Sequence, residues 1–91
     1  MIYVVYILYS KSFNKIYIGV TSNLITRFHS HNYFGKDWSK RFRPWGVIYV
    51  ENFTDKSQAL RREKQLKAGK GREWIRYKIN TQLSVDGFIS A

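Results

Sequence analysis

The chain has 91 residues, of which 44% are hydrophobic and 18% are aromatic. This composition is too apolar for a disordered polypeptide and the length is too short for two cores, so we expect one domain. Sixteen lysines and arginines against six acidic residues give a net charge of +10. Such a charge favours polyanionic partners, of which nucleic acid is the commonest, although acidic lipid or acidic protein would also fit.

The chain carries no cysteine, and its first residues do not predict a targeting segment. The lack of cysteine excludes disulfides, thiolate metal ligands and a thiol nucleophile, and it is compatible with a reducing compartment. Met1 leads directly into an aromatic and β-branched segment, without the basic start and cleavage site of a signal peptide. Because no apolar run is long enough to span a bilayer, we expect a cytoplasmic protein with no membrane partner.

The first half of the chain predicts a β-hairpin and then a short helix. Residues 2–9 and 15–20 are β-branched and aromatic, and a polar, turn-prone segment separates them. A helical period follows Ser22 or Asn23, either of which suits a helix cap, and we expect this helix to end near Asn32. Three residues mark its buried face: Leu24, Phe28 and His31.

The second half predicts one strand and two helices. Residues 33–43 follow neither period and are interpreted as a loop, and residues 47–50 predict a third strand that Glu51 and Asn52 end. A capping box at Asp55 predicts a second helix over about residues 56–68. Two glycines then precede a short third helix that begins near Trp74.

These elements define an α+β class with the order β-β-α-β-α-α, in which a three-stranded sheet is flanked by helices. We expect the single domain to cover residues 1–80. Residues 81–91 have no strong period and are interpreted as a C-terminal tail.

Glu63 is the most informative single residue. It projects from the middle of the apolar stripe formed by Ala59, Leu60 and Leu66, so its carboxylate is expected to face the sheet. Burial of a carboxylate is costly unless it meets a cation, a metal or hydrogen-bond donors. The alternative is a surface glutamate paired with a neighbouring arginine or lysine, and the helical period alone slightly favours this alternative.

Arg27 and His31 are four residues apart and therefore neighbours on one face of the first helix. For phosphodiester cleavage, an arginine fork matches the phosphate and its developing charge, and a histidine can accept or pass a proton. The alternative is an arginine at the helix edge and a histidine satisfied within the core. Without other features, that alternative is the more common one.

Several tyrosines lie in the predicted strands, where aromatic residues are ordinary packing residues. A hairpin turn about Lys11 and Ser12 would set Tyr6 opposite Tyr17, so that both phenols share one face of the sheet. A phenol near a metal ion or an arginine ionises more easily. This pair is therefore a candidate for chemistry as well as for packing.

Two segments interleave basic and aromatic residues, a mixture that suits phosphate contact and base stacking. The predicted nucleic-acid contacts are Lys36, Trp38, Lys40, Arg41, Arg43, Lys67, Lys70 and Arg72. The alternative is that the tryptophans belong to the core and the cations only solvate the surface. We expect both to hold in part, with Trp45 in the core rather than Trp38.

Together these residues resemble the GIY-YIG nuclease superfamily, especially its small stand-alone members related to the N-terminal domain of the bacterial excision-repair incision subunit. The resemblance covers roughly residues 2–77. Residues 4–6 stand at the first motif and residues 17–19 at the second, with ten residues between the two tyrosines. Arg27, ten residues beyond the second tyrosine, and Glu63 in the later helix match the family pattern.

The chain departs from this pattern in two places. Its first motif is Val4, Val5 and Tyr6 and lacks the glycine for which the family is named. Ile75 stands where many relatives carry an asparagine.

The resemblance implies a metal-dependent endonuclease that acts on nucleic acid, with DNA favoured and a structure-selective role in repair or recombination. Glu63 would hold Mg²⁺ or Mn²⁺, Tyr6 or Tyr17 would help to activate the attacking water, and Arg27 would stabilise the charged transition state. His31 would orient the tyrosine or relay its proton. The alternatives are a binding module of the same fold with little activity and an interaction module for an acidic surface.

Overall fold

The computed structural model of the protein describes residues 1–29 and 41–85. Three antiparallel strands form one sheet in the spatial order β2-β1-β3. The strands are β1 (Tyr3–Ser10), β2 (Lys15–Thr21) and β3 (Gly46–Phe53), and the helices are α1 (Leu24–His29), α2 (Lys56–Lys67) and α3 (Gly69–Val85). This arrangement confirms the predicted α+β fold and its order of elements.

The central strand β1 is covered on both faces, which explains its nearly continuous apolar sequence. One face packs against α2 and α3 in a cluster that includes Val5, Ile7, Ala59, Leu66 and Ile75. The other face packs against α1 in a cluster that includes Tyr6, Leu8, Trp45, Leu24 and Phe28. Consequently α1 and α2 lie on opposite sides of the sheet, and Trp45 is a core residue as predicted.

Side-chain caps fix the starts of the first two helices. The Asn23 side chain accepts a hydrogen bond from the Thr26 amide at 3.2 Å, so α1 begins at Leu24. Asp55 accepts from the Ser57 amide at 2.9 Å at the start of α2. Both caps agree with the sequence prediction.

Strand β3 is longer than predicted. Glu51 and Asn52 do not end it, because they pair with Val5 and Val4 of the central strand. The prediction was wrong since it treated polar residues as strand breakers. At the edge of a sheet, such residues extend a strand without burying a charge.

Helix α3 is also longer than the short helix predicted, because it begins at Gly69 and runs to Val85. A side chain on Gly71 would collide with the carbonyl oxygen of Gln65 and the backbone of Leu66. This glycine therefore marks the close approach of α3 to the end of α2 rather than an interruption between elements. No helix in the described part of the chain is long and apolar enough to cross a membrane.

Candidate active site

The two hairpin tyrosines share one face of the sheet, but they are not directly opposite as predicted. Tyr6 pairs with Gly19, and Tyr17 pairs with Leu8, because the turn occupies residues 11–14 and is two residues longer than the prediction assumed. A register shift of two residues keeps every side chain on its face. The two rings therefore still stack, with centroids 6.2 Å apart and planes 22° apart.

Gly19 allows the Tyr6 ring to cross the edge strand. A Cβ atom at position 19 would lie 2.5 Å from Tyr6 Oη and 2.6 Å from Tyr6 Cζ. The ring therefore lies over Gly19 itself. Because β2 is an edge strand, the Tyr6 hydroxyl reaches the border of the sheet, where side chains from both faces can meet it.

The Tyr6 hydroxyl is influenced by three of the other predicted site residues. It shares a hydrogen bond with Tyr17, and Arg27 and Glu63 both act on it electrostatically. Arg27 belongs to α1 and Glu63 to α2, so the two charges approach the β2 edge from opposite faces. His31 lies outside the described residues.

Burial is the main cause that raises the pKa of Tyr6 well above its ordinary value, since the residue is 1% exposed. Tyr17 and Glu63 raise this pKa further, whereas Arg27 lowers it. The net effect is a phenol that keeps its proton at neutral pH. Tyr6 is thus available as a hydrogen-bond donor rather than as a base.

Glu63 lies at the margin of the buried face of α2. Its side chain is 22% exposed, and its Oε2 lies 3.4 Å from Lys67 Nζ. Ala59 and Leu66 are buried, but Leu60 is 45% exposed, so its assignment to the apolar stripe was wrong. Leu60 lies about 100° around the helix from Ala59, too far to face the sheet. Glu63 borders the core, as expected for a carboxylate that faces the sheet. It also pairs with a neighbouring lysine, as expected for a surface glutamate, so each interpretation agrees in part with the structure.

A divalent ion would find one protein carboxylate at this position. The described residues contain no group of three or more histidine, cysteine, aspartate or glutamate side chains that could enclose a metal. Glu63 nonetheless fits Mg²⁺, which keeps several waters and is often held by one or two carboxylates together with substrate phosphates. The ion pair with Lys67 is partly exposed and therefore weak, so it does not block this role.

A cleft of about 480 Å³ opens beside the β2 edge, between this strand and helices α2 and α3. We call it the basic cleft, because its lining includes four cations and no acidic residue: Lys15, Lys67, Arg72 and Arg76. Its remaining lining is Asn14 and the isoleucines 16, 18 and 75. A cationic rim over an apolar floor suits an anionic ligand.

The predicted nucleic-acid contacts within the described residues line more than one cleft. Lys67 and Arg72 line the basic cleft, whereas Lys70 lines a different cleft of about 300 Å³ beside Trp74. The Arg41 guanidinium lies 5.9 Å from the ring centroid of Phe42. Arg43 is half-buried nearby. The remaining three, Lys36, Trp38 and Lys40, lie outside the described residues.

A second tyrosine, glutamate and arginine group lies at the β3 edge, and the sequence did not reveal it. Tyr49 Oη donates to Glu51 Oε2 at 2.7 Å, and Arg62 Nε donates to the same oxygen at 3.2 Å. The hydrogen bond to Glu51 is the main cause that raises the pKa of Tyr49. The only local signal is the spacing of Tyr49 and Glu51, since residues two apart in a strand share a face.

The family model of the GIY-YIG catalytic domain matches residues 2–78 of the chain. The chain belongs to the GIY-YIG family. Membership implies nuclease chemistry, nucleic acid as the partner and, in general, use of a divalent metal. These general statements agree with the sequence prediction.

The chain is similar to proteins of the UPF0213 group. It is 41% identical over 64 residues to the UPF0213 protein SH2523 of Staphylococcus haemolyticus, covering 69% of this chain and 77% of the relative. It is 39% identical over 64 residues to a UPF0213 protein of Limosilactobacillus reuteri, covering 67% and 66%. A solution NMR structure of the UPF0213 protein BH0048 from Bacillus halodurans matches 92% of this chain and 98% of that chain, with a TM-score of 0.52 and 26% identity.

Proposed function

We propose that this protein is a metal-dependent endonuclease that hydrolyses phosphodiester bonds of nucleic acid in the cytoplasm, with DNA as its first substrate. One observation carries the proposal. The Tyr6 hydroxyl is hydrogen bonded to Tyr17 at the β2 edge, where Arg27 and Glu63 act on it from opposite faces of the sheet. Packing alone does not require charges from two separate helices to approach one buried phenol.

Tyr17 is the better candidate to meet the attacking water. It is half-buried, whereas Tyr6 is 1% exposed and its raised pKa keeps its proton in place. The Tyr6 hydroxyl would donate its hydrogen bond to the Tyr17 oxygen and hold that phenol in position. Tyr17 would then orient the water. As the water oxygen attacks phosphorus, Tyr17 would accept the water proton and pass its own phenolic proton to His31.

Arg27 would contact the phosphate directly. Its residue is exposed on α1, so the guanidinium can reach a substrate outside the sheet edge. A planar fork of N–H donors matches two phosphate oxygens and stabilises the charge that develops in the transition state. His31, two residues beyond the described part of α1, keeps the proposed role of orienting a tyrosine or relaying its proton.

Glu63 is the residue that would hold Mg²⁺ or Mn²⁺. Bound there, the ion would supply Lewis-acid stabilisation of the charge on the phosphate oxygens. Lys67 now pairs with Glu63 at 3.4 Å and would be released to contact a phosphate when the carboxylate takes another cation. The other proposed contacts to the nucleic-acid backbone are Lys36, Trp38, Lys40, Arg41, Arg43, Lys70 and Arg72.

The test is cleavage of labelled nucleic acids by the purified protein. Single-stranded, duplex and branched DNA and RNA are each incubated with magnesium, with manganese and with chelator, beside Glu63→Ala as the control. We expect metal-dependent cleavage of DNA, lost with chelator and in Glu63→Ala, and a preference among the structures would define a role in repair or recombination. Binding without cleavage under every condition would instead support a binding module of the same fold.

A further inference from the structure

We propose that the basic cleft binds a backbone phosphate of the substrate strand beyond the scissile phosphate, and that Asn14 positions Arg76 for this contact. The proposal rests on the proposed function, because it assumes that a nucleic-acid strand crosses the β2 edge. It assigns a site to Asn14 and Arg76, which the sequence did not single out, beside the predicted contacts Lys67 and Arg72.

The charge around the basic cleft favours an anionic ligand. Arg72 and Arg76 are four residues apart on α3, and like charges at this spacing destabilise a helix. Both line the same cleft as Lys15 and Lys67, with no acidic residue among the lining side chains. A phosphate held between them would convert this repulsion into charge-assisted hydrogen bonds.

The size of the cleft suits one nucleotide unit of a strand. Its volume of about 480 Å³ falls in the range of small-molecule sites, which is about 300–1,000 Å³. Ile16, Ile18 and Ile75 contribute apolar surface against which a sugar or a base can lie. The cations would then hold the phosphate at the rim.

Asn14 fixes Arg76 at this rim. Its Oδ1 accepts a hydrogen bond from Arg76 Nη1 at 2.7 Å and another from Tyr9 Oη at 3.0 Å. Tyr9 is buried, so it anchors the asparagine to the sheet, and the asparagine anchors the arginine. Asn14 has φ = 53°, a left-handed conformation that asparagine adopts more readily than most residues. The guanidinium keeps further N–H donors for a phosphate.

The basic cleft adjoins the proposed active site through Lys67. This residue lines the cleft, and its Nζ lies 3.4 Å from Glu63 Oε2. A strand with its scissile phosphate at Glu63 would therefore place a following phosphate at the cleft. The cleft would set the direction in which the strand leaves the site.

Affinity is measured without metal in a Glu63→Ala background, so that cleavage plays no part in the result. Arg72→Ala and Arg76→Ala are each expected to weaken oligonucleotide binding by about fivefold to tenfold and to lower the salt slope by about one. Arg61→Ala is the matched control, because Arg61 is an exposed arginine that lines a different cleft. Its expected effect is less than about twofold.

The role of Asn14 is tested by a double-mutant cycle. Asn14→Gly keeps the left-handed backbone accessible but removes the amide oxygen that holds Arg76. We expect Asn14→Gly to weaken binding by about threefold alone and to add nothing in an Arg76→Ala background. Equal losses in both backgrounds would overturn the positioning role, because they would mean that Asn14 acts independently of Arg76.

Three outcomes separate this proposal from its rivals. Unchanged affinity in both arginine variants would overturn the cleft assignment, whether or not the wild-type protein cleaves. The expected binding losses together with an inactive wild-type protein would support the cleft and overturn the proposed nuclease function. Inorganic phosphate that competes at the same concentration as the oligonucleotide would show a site for the free ion and would overturn the assignment to a strand.

Discussion

The two edges of the sheet carry the same residue types in different arrangements. At the β3 edge, Tyr49 and Arg62 both donate to one oxygen of Glu51, and the three side chains satisfy one another. At the β2 edge, Tyr6 shares its hydrogen bond with Tyr17, and Glu63 pairs with Lys67 on its own helix. An arginine and a glutamate therefore form an ion pair at the β3 edge. Among the described residues, no arginine–glutamate ion pair lies at the β2 edge.

This difference separates a structural cluster from a candidate catalytic one. Tyr49 and Arg62 both donate to Oε2 of Glu51, so that oxygen has little capacity left for a metal or a substrate. Among the described residues, the ion-pair partner of Glu63 is a partly exposed lysine, and that contact is easily exchanged. The residue types at the two edges therefore do not identify the candidate site. The contacts that each charged side chain makes are what distinguish it.

The largest expected difference between the two edges is that between the variants Glu63→Ala and Glu51→Ala, each made separately. Glu63→Ala should abolish metal-dependent cleavage and leave binding intact or slightly tighter, because a negative charge leaves a basic surface. Glu51→Ala should keep the cleavage rate and lose about 0.5–1.5 kcal/mol of unfolding free energy, since Tyr49 and Arg62 lose a partly exposed acceptor. Cleavage assays beside thermal melts measure both. A Glu63→Ala protein that cuts as fast as the wild type would contradict the mechanism.

The variants Arg27→Ala and Arg62→Ala should also differ in their cleavage rates. Arg27→Ala should lower the cleavage rate by about 10²-fold, as removal of a preorganised donor to a transition state typically does. Arg62→Ala should lower it by less than about threefold, because that guanidinium serves Glu51 at the other edge. Single-turnover rates at saturating enzyme compare the two variants. Equal losses would mean that Arg27 acts through the fold and not on the phosphate.

Gly19→Ala should affect both the fold and the activity. Its Cβ would meet the Tyr6 ring at 2.5–2.6 Å, so the ring must shift, at a cost of about 1–3 kcal/mol. Cleavage should fall as well, because the shift moves the hydroxyl that holds Tyr17. Gly69→Ala is the matched control, since no atom lies within 4 Å of its added Cβ. A denaturant melt that ranks Gly69→Ala as the less stable variant would exclude this account.

The smallest expected effect is the pH dependence of stability due to Tyr6. Its pKa is raised in the folded state above the ordinary value of 10.0, so the unfolded chain releases this proton first as the pH rises. The contribution of Tyr6 is therefore fully present below pH 10 and is lost as the pH rises through the folded pKa. Tyr6→Phe should make the loss of stability above pH 10 less steep. Tyr77→Phe is the control, because Tyr77 is exposed. If this variant changes the slope of stability against pH by the same amount, Tyr6 is not the cause of the effect.

Local signals were sufficient for most of the fold. The hairpin, the caps at Asn23 and Asp55 and the second helix each depend on residues close together in sequence, and all were predicted. The register was missed because it depends on the four-residue turn, where Asn14 adopts a left-handed conformation. The start of α3 was missed because Gly71 has a role that only its contact with α2 reveals.

The site was predicted less completely than the fold. The motif spacing identified Tyr6, Tyr17, Arg27 and Glu63, and their catalytic roles stay predictions. No periodicity could indicate that α1 and α2 lie on opposite faces, because that depends on how the helices dock. The basic cleft escaped prediction for a similar reason, since Asn14 and Arg76 are 62 residues apart.

Because its charges come from both faces of the sheet, the proposed active site would form only when every layer of the molecule is assembled. Helix α1 is held on the sheet by the packing of Leu24 and Phe28, and most helical stability in proteins comes from packing of this kind. Its detachment would carry Arg27 away while the tyrosines and Glu63 remained in place. Under the proposed function, a newly synthesised or partly unfolded chain would thus not cleave nucleic acid. Cleavage activity would appear only once the domain has folded completely.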